Sequence, residues 1–282
     1  MENRALVPPA ELMSLLSSAT PPLVLDVRWS LAGADRLGYA AGHVPGAVFC
    51  DLDADLAAPP GDGGRHPLPS AEAMTATLRR LGVAPGRTVA VYDAGAGASS
   101  ARAWWCLRWA GHADIRVLDG GLAAWRAAGG RVEAGEVAAV PGPDAVATVG
   151  AMPVATVDDV VAGRAGTLLD ARAAERYRGE VEPVDPVAGH IPGAVSCPTT
   201  LLQLPDGRYR PASELRALLD GLVGTSSPDR PVTAYCGSGV TASQIVLAAH
   251  DAGLDLALYP GSWSHWVLDP ARPVATREGT DS

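Results

Sequence analysis

Apolar residues in this chain gather into runs of four or five, and the segments between them repeat with a helical period. Leu23-Val24-Leu25-Asp26-Val27 is the first run, and Thr88-Val89-Ala90-Val91-Tyr92 and residues 115–118 are others of the same kind. Short apolar runs bounded by Gly, Pro and Asp read as strands buried on both faces. Residues 70–81 instead put Met74, Leu78 and Leu81 on one helical face and stop at Gly82, which is where a helix would close. A Trp-rich stretch over 99–110 predicts a second helix, and Asp119-Gly120-Gly121-Leu122-Ala123-Ala124-Trp125 follows the strand at 115–118. Strands alternating with helices predict an α/β fold with a mostly parallel sheet covered on both faces.

The pattern then recurs. Thr167-Leu168-Leu169-Asp170 answers the first strand, and Ala188-Gly189-His190-Ile191-Pro192-Gly193-Ala194-Val195 is nearly the same text as Ala41-Gly42-His43-Val44-Pro45-Gly46-Ala47-Val48. Residues 213–222 answer the helix at 70–81, Val232 to Tyr235 answers Val89 to Tyr92, and Pro260-Gly261-Ser262-Trp263 to Trp266 answers 119–125. The chain therefore reads as two copies of one α/β unit, each too large for a solenoid repeat. Domains are expected at 1–135 and 153–282, joined by a linker at 136–152, where Gly, Pro, Ala and Val show no periodicity.

A doubled unit supplies its own control, because residues present in both copies serve the fold and those in one copy are candidates for chemistry. His43 and His190 match, as do Asp26 and Asp170, so these are expected to be structural. Cys236 does not match: it faces Asp93, whose loop Asp93-Ala94-Gly95-Ala96-Gly97-Ala98 holds no nucleophile. His66 also lacks a histidine mate. Cys236 stands between the strand at Pro231-Val232-Thr233-Ala234 and a helix from Ser243 that Gly253 closes. Unpaired backbone amides and the helix dipole converge at such a place. Gly237 and Gly239 let the loop curl so that its amides point at the sulfur, favouring the thiolate, which is the nucleophilic form. The alternative is an inert buried cysteine.

Composition narrows the chemistry further. All 22 basic residues are arginine, so Schiff-base and P-loop lysine chemistry are excluded. A net charge of −9 argues against nucleic acid or an anionic membrane as partner. No apolar run approaches transmembrane length, and Met1-Glu2-Asn3-Arg4 lacks the layout of a secretory leader. The four cysteines (50, 106, 197, 236) include no Cys-x-x-Cys spacing, so zinc-ribbon and thioredoxin-like motifs are not expected. Few, scattered cysteines fit a reducing compartment, and the expected location is the cytoplasm.

The doubled unit, the GHVPGA and GHIPGA segments, the DGGLAAW and PGSWSHW segments and the loop Cys236-Gly237-Ser238-Gly239-Val240-Thr241 resemble the tandem-domain rhodanese sulfurtransferases, from about residue 20 onward. The resemblance implies two rhodanese-like domains, the first inert and the second carrying the active cysteine, with Gly237, Gly239, Val240 and Thr241 cradling a sulfane sulfur. Neutral Gly237 and Ser238 follow the cysteine, where thiosulfate enzymes usually carry cations. The resemblance is thus to the 3-mercaptopyruvate type. In that type the loop serine, here Ser238, works with an aspartate and a histidine from the first domain. The matching positions are Asp53 and His66, which implies a site between the two halves, with Trp29 and Trp263 as candidate walls. Two arginines hold the donor carboxylate in the family. Arg176 matches the first, but Asp185 stands where the second belongs, which predicts a weak KM that Asp185→Arg would improve.

The implied reaction is a ping-pong cycle through a Cys236 persulfide. It takes sulfur from a small-molecule donor and passes it to cyanide, a thiol or a thioredoxin-like protein, with no cofactor or metal. Three other readings compete. A thiosulfate sulfurtransferase is favoured by Asp185. A cysteine phosphatase of the same fold would need Cys-X5-Arg to grip phosphate, but the sixth residue after Cys236 is Ala242. A non-catalytic binding module is disfavoured by the retained cysteine, glycines and serine.

Overall fold

The computed structural model describes residues 4–142, 144–224 and 231–277. The chain divides into two units, neither of them continuous in sequence. The first comprises Met1–Ala58, Leu68–Met152 and Leu204–Tyr209, and the second Pro59–Pro67, Pro153–Gln203 and Arg210–Ser282.

In the first unit, β1 (Leu6–Val7), β2 (Leu23–Asp26), β5 (Val48–Phe49), β6 (Val89–Tyr92) and β7 (Ile115–Leu118) form a parallel sheet in the order β1-β7-β6-β2-β5. A small antiparallel ladder, β3 (Trp29–Ser30) with β4 (Gly33–Ala34), leaves the C-terminal end of β2. Every residue of β2 and β6 is buried, as their unbroken apolar runs require. The helices are α1 (Pro9–Leu16), α2 (Arg36–Ala41), α3 (Leu52–Asp55), α4 (Ala71–Leu81), α5 (Ala98–Trp109) and α6 (Gly121–Ala127). The Ser70 hydroxyl caps α4 by accepting from the Ala73 amide at 3.1 Å. Gly82 closes α4 at φ +78°, where a Cβ would lie 2.4 Å from the Val140 carbonyl oxygen.

The aperiodic stretch around 136–152 does not hang free. Val137 donates to the Tyr39 hydroxyl, Gly142 to the Arg79 carbonyl, Ala147 to Thr75 Oγ1 and Thr148 to the Ala110 carbonyl, at 2.9–3.1 Å. Its amides find partners without regular structure, so it straps the first unit; Pro143 lies outside the described residues.

In the second unit, β8 (Thr167–Asp170), β9 (Val195–Ser196), β10 (Val232–Tyr235) and β11 (Ala257–Leu258) are parallel in the order β11-β10-β8-β9. A single parallel bridge, Val154 to Leu258, stands where β1 pairs with β7 in the first unit. The helices are α7 (Val157–Val161), α8 (Ala174–Tyr177), α9 (Ala212–Val223), α10 (Ala242–Asp251) and α11 (Ser262–Trp266), with a 3-10 turn at Thr199–Leu201. Leu168, Tyr177, Ile191, Tyr235, Tyr259, Trp263 and Trp266 lie in its core.

The repeated text has a repeated job. His43 stacks on Tyr39 at 4.3 Å and places Nδ1 3.0 Å from the Tyr39 carbonyl, and His190 does the same with Tyr177 at 3.7 and 2.7 Å. Arg28 grips Asp26 through Nε and Nη2, and Arg172 grips Asp170 in the same way. The hydroxyls of Tyr92 and Tyr235 accept from the amides of Val44 and Ile191. Both histidines are structural, as the internal comparison predicts.

Candidate active site

The site is built at the end of β10. Cys236, 2% exposed, donates its amide to Ser262 Oγ at 3.1 Å, and its carbonyl accepts from Trp263 at 2.9 Å. These bonds hang the residue on the start of α11 and fix where its side chain points. The Gly239 amide donates to Cys236 Sγ at 3.2 Å, so the loop turns back on the sulfur as its glycines allow. Gly239 is at φ +77°, and a Cβ there would fall 2.4 Å from the Pro260 carbonyl oxygen. Val240 and Thr241 lead into α10, their carbonyls accepting from Ser243 and Gln244. The sulfur thus sits at the N-terminal end of a ten-residue helix, where the dipole favours negative charge.

His66 reaches this loop on the segment Pro59–Pro67, which belongs to the second unit. The segment is tied in by the Arg65 amide, which donates to Ser264 Oγ at 3.1 Å, and by Gly64, where a Cβ would meet the Gly261 carbonyl oxygen at 2.8 Å. Both His66 and Ser238 are buried, with Nδ1 2.7 Å from Ser238 Oγ. A histidine and a hydroxyl at that distance, two residues from a cysteine, can pass a proton. Asp53 belongs to the first unit, where the Trp29 indole donates to its Oδ2 at 2.8 Å. Trp263 is a core residue, fully buried, with its indole N–H on the Val187 carbonyl and Arg172 stacked 4.6 Å from its ring. Of the two readings of Trp263, wall or core, the structure takes the core.

Beside the loop stands a charged network that the sequence reading missed. Arg176 binds Glu182 through Nε at 3.1 Å and Nη2 at 2.5 Å, and Nη2 also lies 3.4 Å from Asp185 Oδ2. Asp185 pairs in turn with Arg65 Nη1. The Glu182 carboxylate accepts from the amides of Val184 and Asp185, both at 3.1 Å, which fixes the turn that carries Asp185. Burial pushes the Asp185 carboxyl above its ordinary value, against the pull of Arg65 and Arg176. For Glu182 burial again disfavours the charge, but the Arg176 and amide hydrogen bonds outweigh it and hold the carboxyl low. Asp185 is therefore no vacant arginine position. It is the buried counter-ion of two guanidiniums, one supplied from residue 65.

The equivalent loop of the first unit shows what such a cradle binds. The Asp93 carbonyl accepts from Leu122 at 2.9 Å, matching the Cys236–Trp263 bond. Its carboxylate accepts from Gly95 and Gly97 through Oδ1 and from the amide and hydroxyl of Ser100 through Oδ2, at 2.9–3.2 Å. An anion fills the loop in this copy, and a sulfur takes the corresponding place in the other. Burial raises the thiol pKa values of Cys50, Cys106 and Cys197, the last to about 12, which keeps them protonated. Among the described residues no three His, Cys, Asp or Glu side chains are arranged to hold a metal ion, and no helix is long and apolar enough to cross a membrane.

A family model for the rhodanese-like domain matches residues 8–128 and again 156–269. The chain belongs to the rhodanese family. A Mycobacterium tuberculosis relative, provisionally named thiosulfate sulfurtransferase SseB, is 47% identical over 277 residues, covering 96% of this chain and 97% of its own. A Pseudomonas aeruginosa relative, provisionally named 3-mercaptopyruvate sulfurtransferase, is 46% identical over 265 residues, covering 90% and 92%. The crystal structure of SseA from Escherichia coli, described as a 3-mercaptopyruvate sulfotransferase with the rhodanese fold, superposes with a TM-score of 0.79 at 33% identity. It is matched over 93% of this chain and 99% of its own. The α/β architecture of two mostly parallel, helix-covered sheets is that of the family.

Proposed function

We propose that this rhodanese is a sulfurtransferase that takes sulfur from 3-mercaptopyruvate through a persulfide on Cys236. The observation that carries the reading is the 2.7 Å contact between His66 and Ser238, two residues from the sulfur. The Cys236 thiolate attacks the donor sulfur. As the S–S bond forms the C–S bond breaks, and its electron pair passes to carbon as the enolate of pyruvate. That carbon needs a proton, which the Ser238 hydroxyl supplies and His66 restores. Asp53 enters on the family resemblance, as the carboxylate that fixes the His66 tautomer. The loop, with Gly237, Gly239, Val240 and Thr241, stabilises sulfur anions before and after transfer, as an oxyanion hole stabilises oxygen. An acceptor thiolate or cyanide then attacks the outer sulfur and regenerates the Cys236 thiolate. A thioredoxin-like protein is the proposed physiological acceptor. The proposed compartment is the cytoplasm, on the strength of four unpaired cysteines.

A thiosulfate reading is favoured by the guanidinium N–H groups beside the loop and by the name of the mycobacterial relative. Sulfite, however, leaves as a stable anion and asks for no proton, so the buried His–Ser contact would have no use. Mass spectrometry after incubation with 3-mercaptopyruvate should show one added sulfur on Cys236, absent in Cys236→Ser and retained in Cys50→Ser, Cys106→Ser and Cys197→Ser. A higher kcat/KM for thiosulfate than for 3-mercaptopyruvate would reverse the donor assignment.

A further inference from the structure

Two guanidiniums face Gly237 from one side. A Cβ built on Gly237 would lie 2.7 Å from Arg65 Nη2 and 3.8 and 3.7 Å from Arg176 Nη1 and Nη2. Both guanidiniums are also held by carboxylates: Arg65 Nη1 by Asp185, and Arg176 Nε and Nη2 by Glu182. Asp185 touches both arginines, through Oδ1 and Oδ2, and its side chain is 4% exposed. A buried carboxylate between two arginines holds their planes in register. The two cations and two anions of this group sum to zero. A donor is therefore selected by the N–H groups left pointing at the loop and not by net field.

Resting on the 3-mercaptopyruvate reading, we propose that Arg65 and Arg176 together bind the donor's carboxylate, with Asp185 as the positioning residue that clamps Arg65 in place. Arg65 then does the work the family resemblance assigns to an arginine at position 185. It does so as the partner of the carboxylate that stands at that position. The absence of a side chain at residue 237 is part of the device, since a Cβ would enter the space between the guanidiniums and the loop. A 2-oxo acid thiol has one carboxylate suited to this fork. A thiol ketone of the same skeleton with methyl in place of the carboxylate, 1-mercapto-2-propanone, has none, although its C–S bond breaks to an enolate in the same way.

The test compares these two donors in steady state. Arg65→Ala should raise KM for 3-mercaptopyruvate about tenfold or more with little change in kcat, the loss expected of a charge-assisted hydrogen bond made equally in ground and transition states. The kcat/KM for 1-mercapto-2-propanone should stay within about twofold, which a merely structural role for Arg65 would not allow. Arg65→Lys keeps a cation beside Asp185 without the planar fork and should fall between wild type and Arg65→Ala. Asp185→Arg should raise KM, because it expels Arg65 from its partner, whereas a vacant arginine position would make it lower KM. The exchange Arg65→Asp with Asp185→Arg should recover most of what Arg65→Asp loses alone. The proposal is overturned if Arg65→Ala leaves KM for 3-mercaptopyruvate unchanged, impairs both donors alike, or if Asp185→Arg improves binding. A wild-type enzyme that releases no pyruvate from 3-mercaptopyruvate would overturn the functional reading itself, before any variant is made.

Discussion

Ser262 sits at φ +53°, in the left-handed region, although it carries a side chain, while its counterpart in the first unit is Gly121 at φ +57°. A non-glycine residue there costs about 1 kcal/mol. What offsets the strain is the hydroxyl, which accepts from the Cys236 amide at 3.1 Å and donates to the Tyr259 carbonyl at 2.9 Å, both fully inside the protein. Ser262→Ala keeps the strain and leaves two buried backbone groups without partners, which should cost about 2–4 kcal/mol. Ser262→Gly loses the same bonds but relieves the strain, and should be less damaging by at most about 1 kcal/mol. For a unit of this size Ser262→Ala should melt roughly 6–15 °C below wild type. Amide hydrogen exchange read on peptides spanning 232–240 would locate the loss at Cys236, and persulfide formation should slow as the cysteine loosens. A Ser262→Gly protein more stable than wild type would refute the reasoning, because the hydroxyl would then be worth less than the strain it maintains.

Other consequences can be measured directly. Replacing His66 by Asn or Ser238 by Ala should slow 3-mercaptopyruvate turnover by about 10²–10⁴-fold, with thiosulfate turnover affected less, and the double variant hardly worse than either. Equal losses on the two donors would show that the pair only supports the loop. Asp93→Ala should destabilise the first unit by about 2–4 kcal/mol, since it strips four hydrogen bonds from the 93–100 loop; an unchanged melt would contradict the anion-filled cradle. His265 is held below its ordinary value of 6.5, first by burial and then by Arg272. Its neutral form is therefore the one the fold favours, and its contribution is complete above pH 6.5 and is lost as pH falls through that value toward the folded one. Urea melts of wild type should weaken over that window, and those of His265→Gln should weaken less.

Much of the fold is legible because buried parallel strands announce themselves as unbroken apolar runs. Leu23–Asp26, Val89–Tyr92, Thr167–Asp170 and Val232–Tyr235 are read almost to the residue, as are the helices that Gly82 and Gly253 close. Leu6–Val7 escapes notice because a two-residue edge strand has no period to detect. The internal comparison separates the structural histidines from His66, and it marks Cys236 against Asp93. Asp185 and Arg65 are a different matter. Position 185 looks like a lost cation when read against a motif, because a motif scores each site singly. The pair that keeps its meaning joins residues 120 apart, and nothing local in Arg65-His66-Pro67 or Val184-Asp185-Pro186 announces it. Trp263 reads as wall or core alike, since a tryptophan beside a catalytic loop carries no mark that tells the two apart.

The segment Pro59–Pro67 is synthesised early yet belongs with residues made much later. The Arg65 amide finds its acceptor in Ser264, 199 residues further along. At about 5–20 residues per second, roughly 10–40 s of translation separate the two. During that time Arg65 waits on a loop whose acceptor is not yet made, while the strands on either side of it already have their partners. The unit that was duplicated is thus not the unit that folds. A fragment starting at Pro153 would carry the whole of one duplicate, Cys236 included, yet would lack His66 and Arg65. It should be born a nucleophile with neither proton relay nor carboxylate fork, and mixing it with a peptide spanning 59–67 is the complementation the architecture invites.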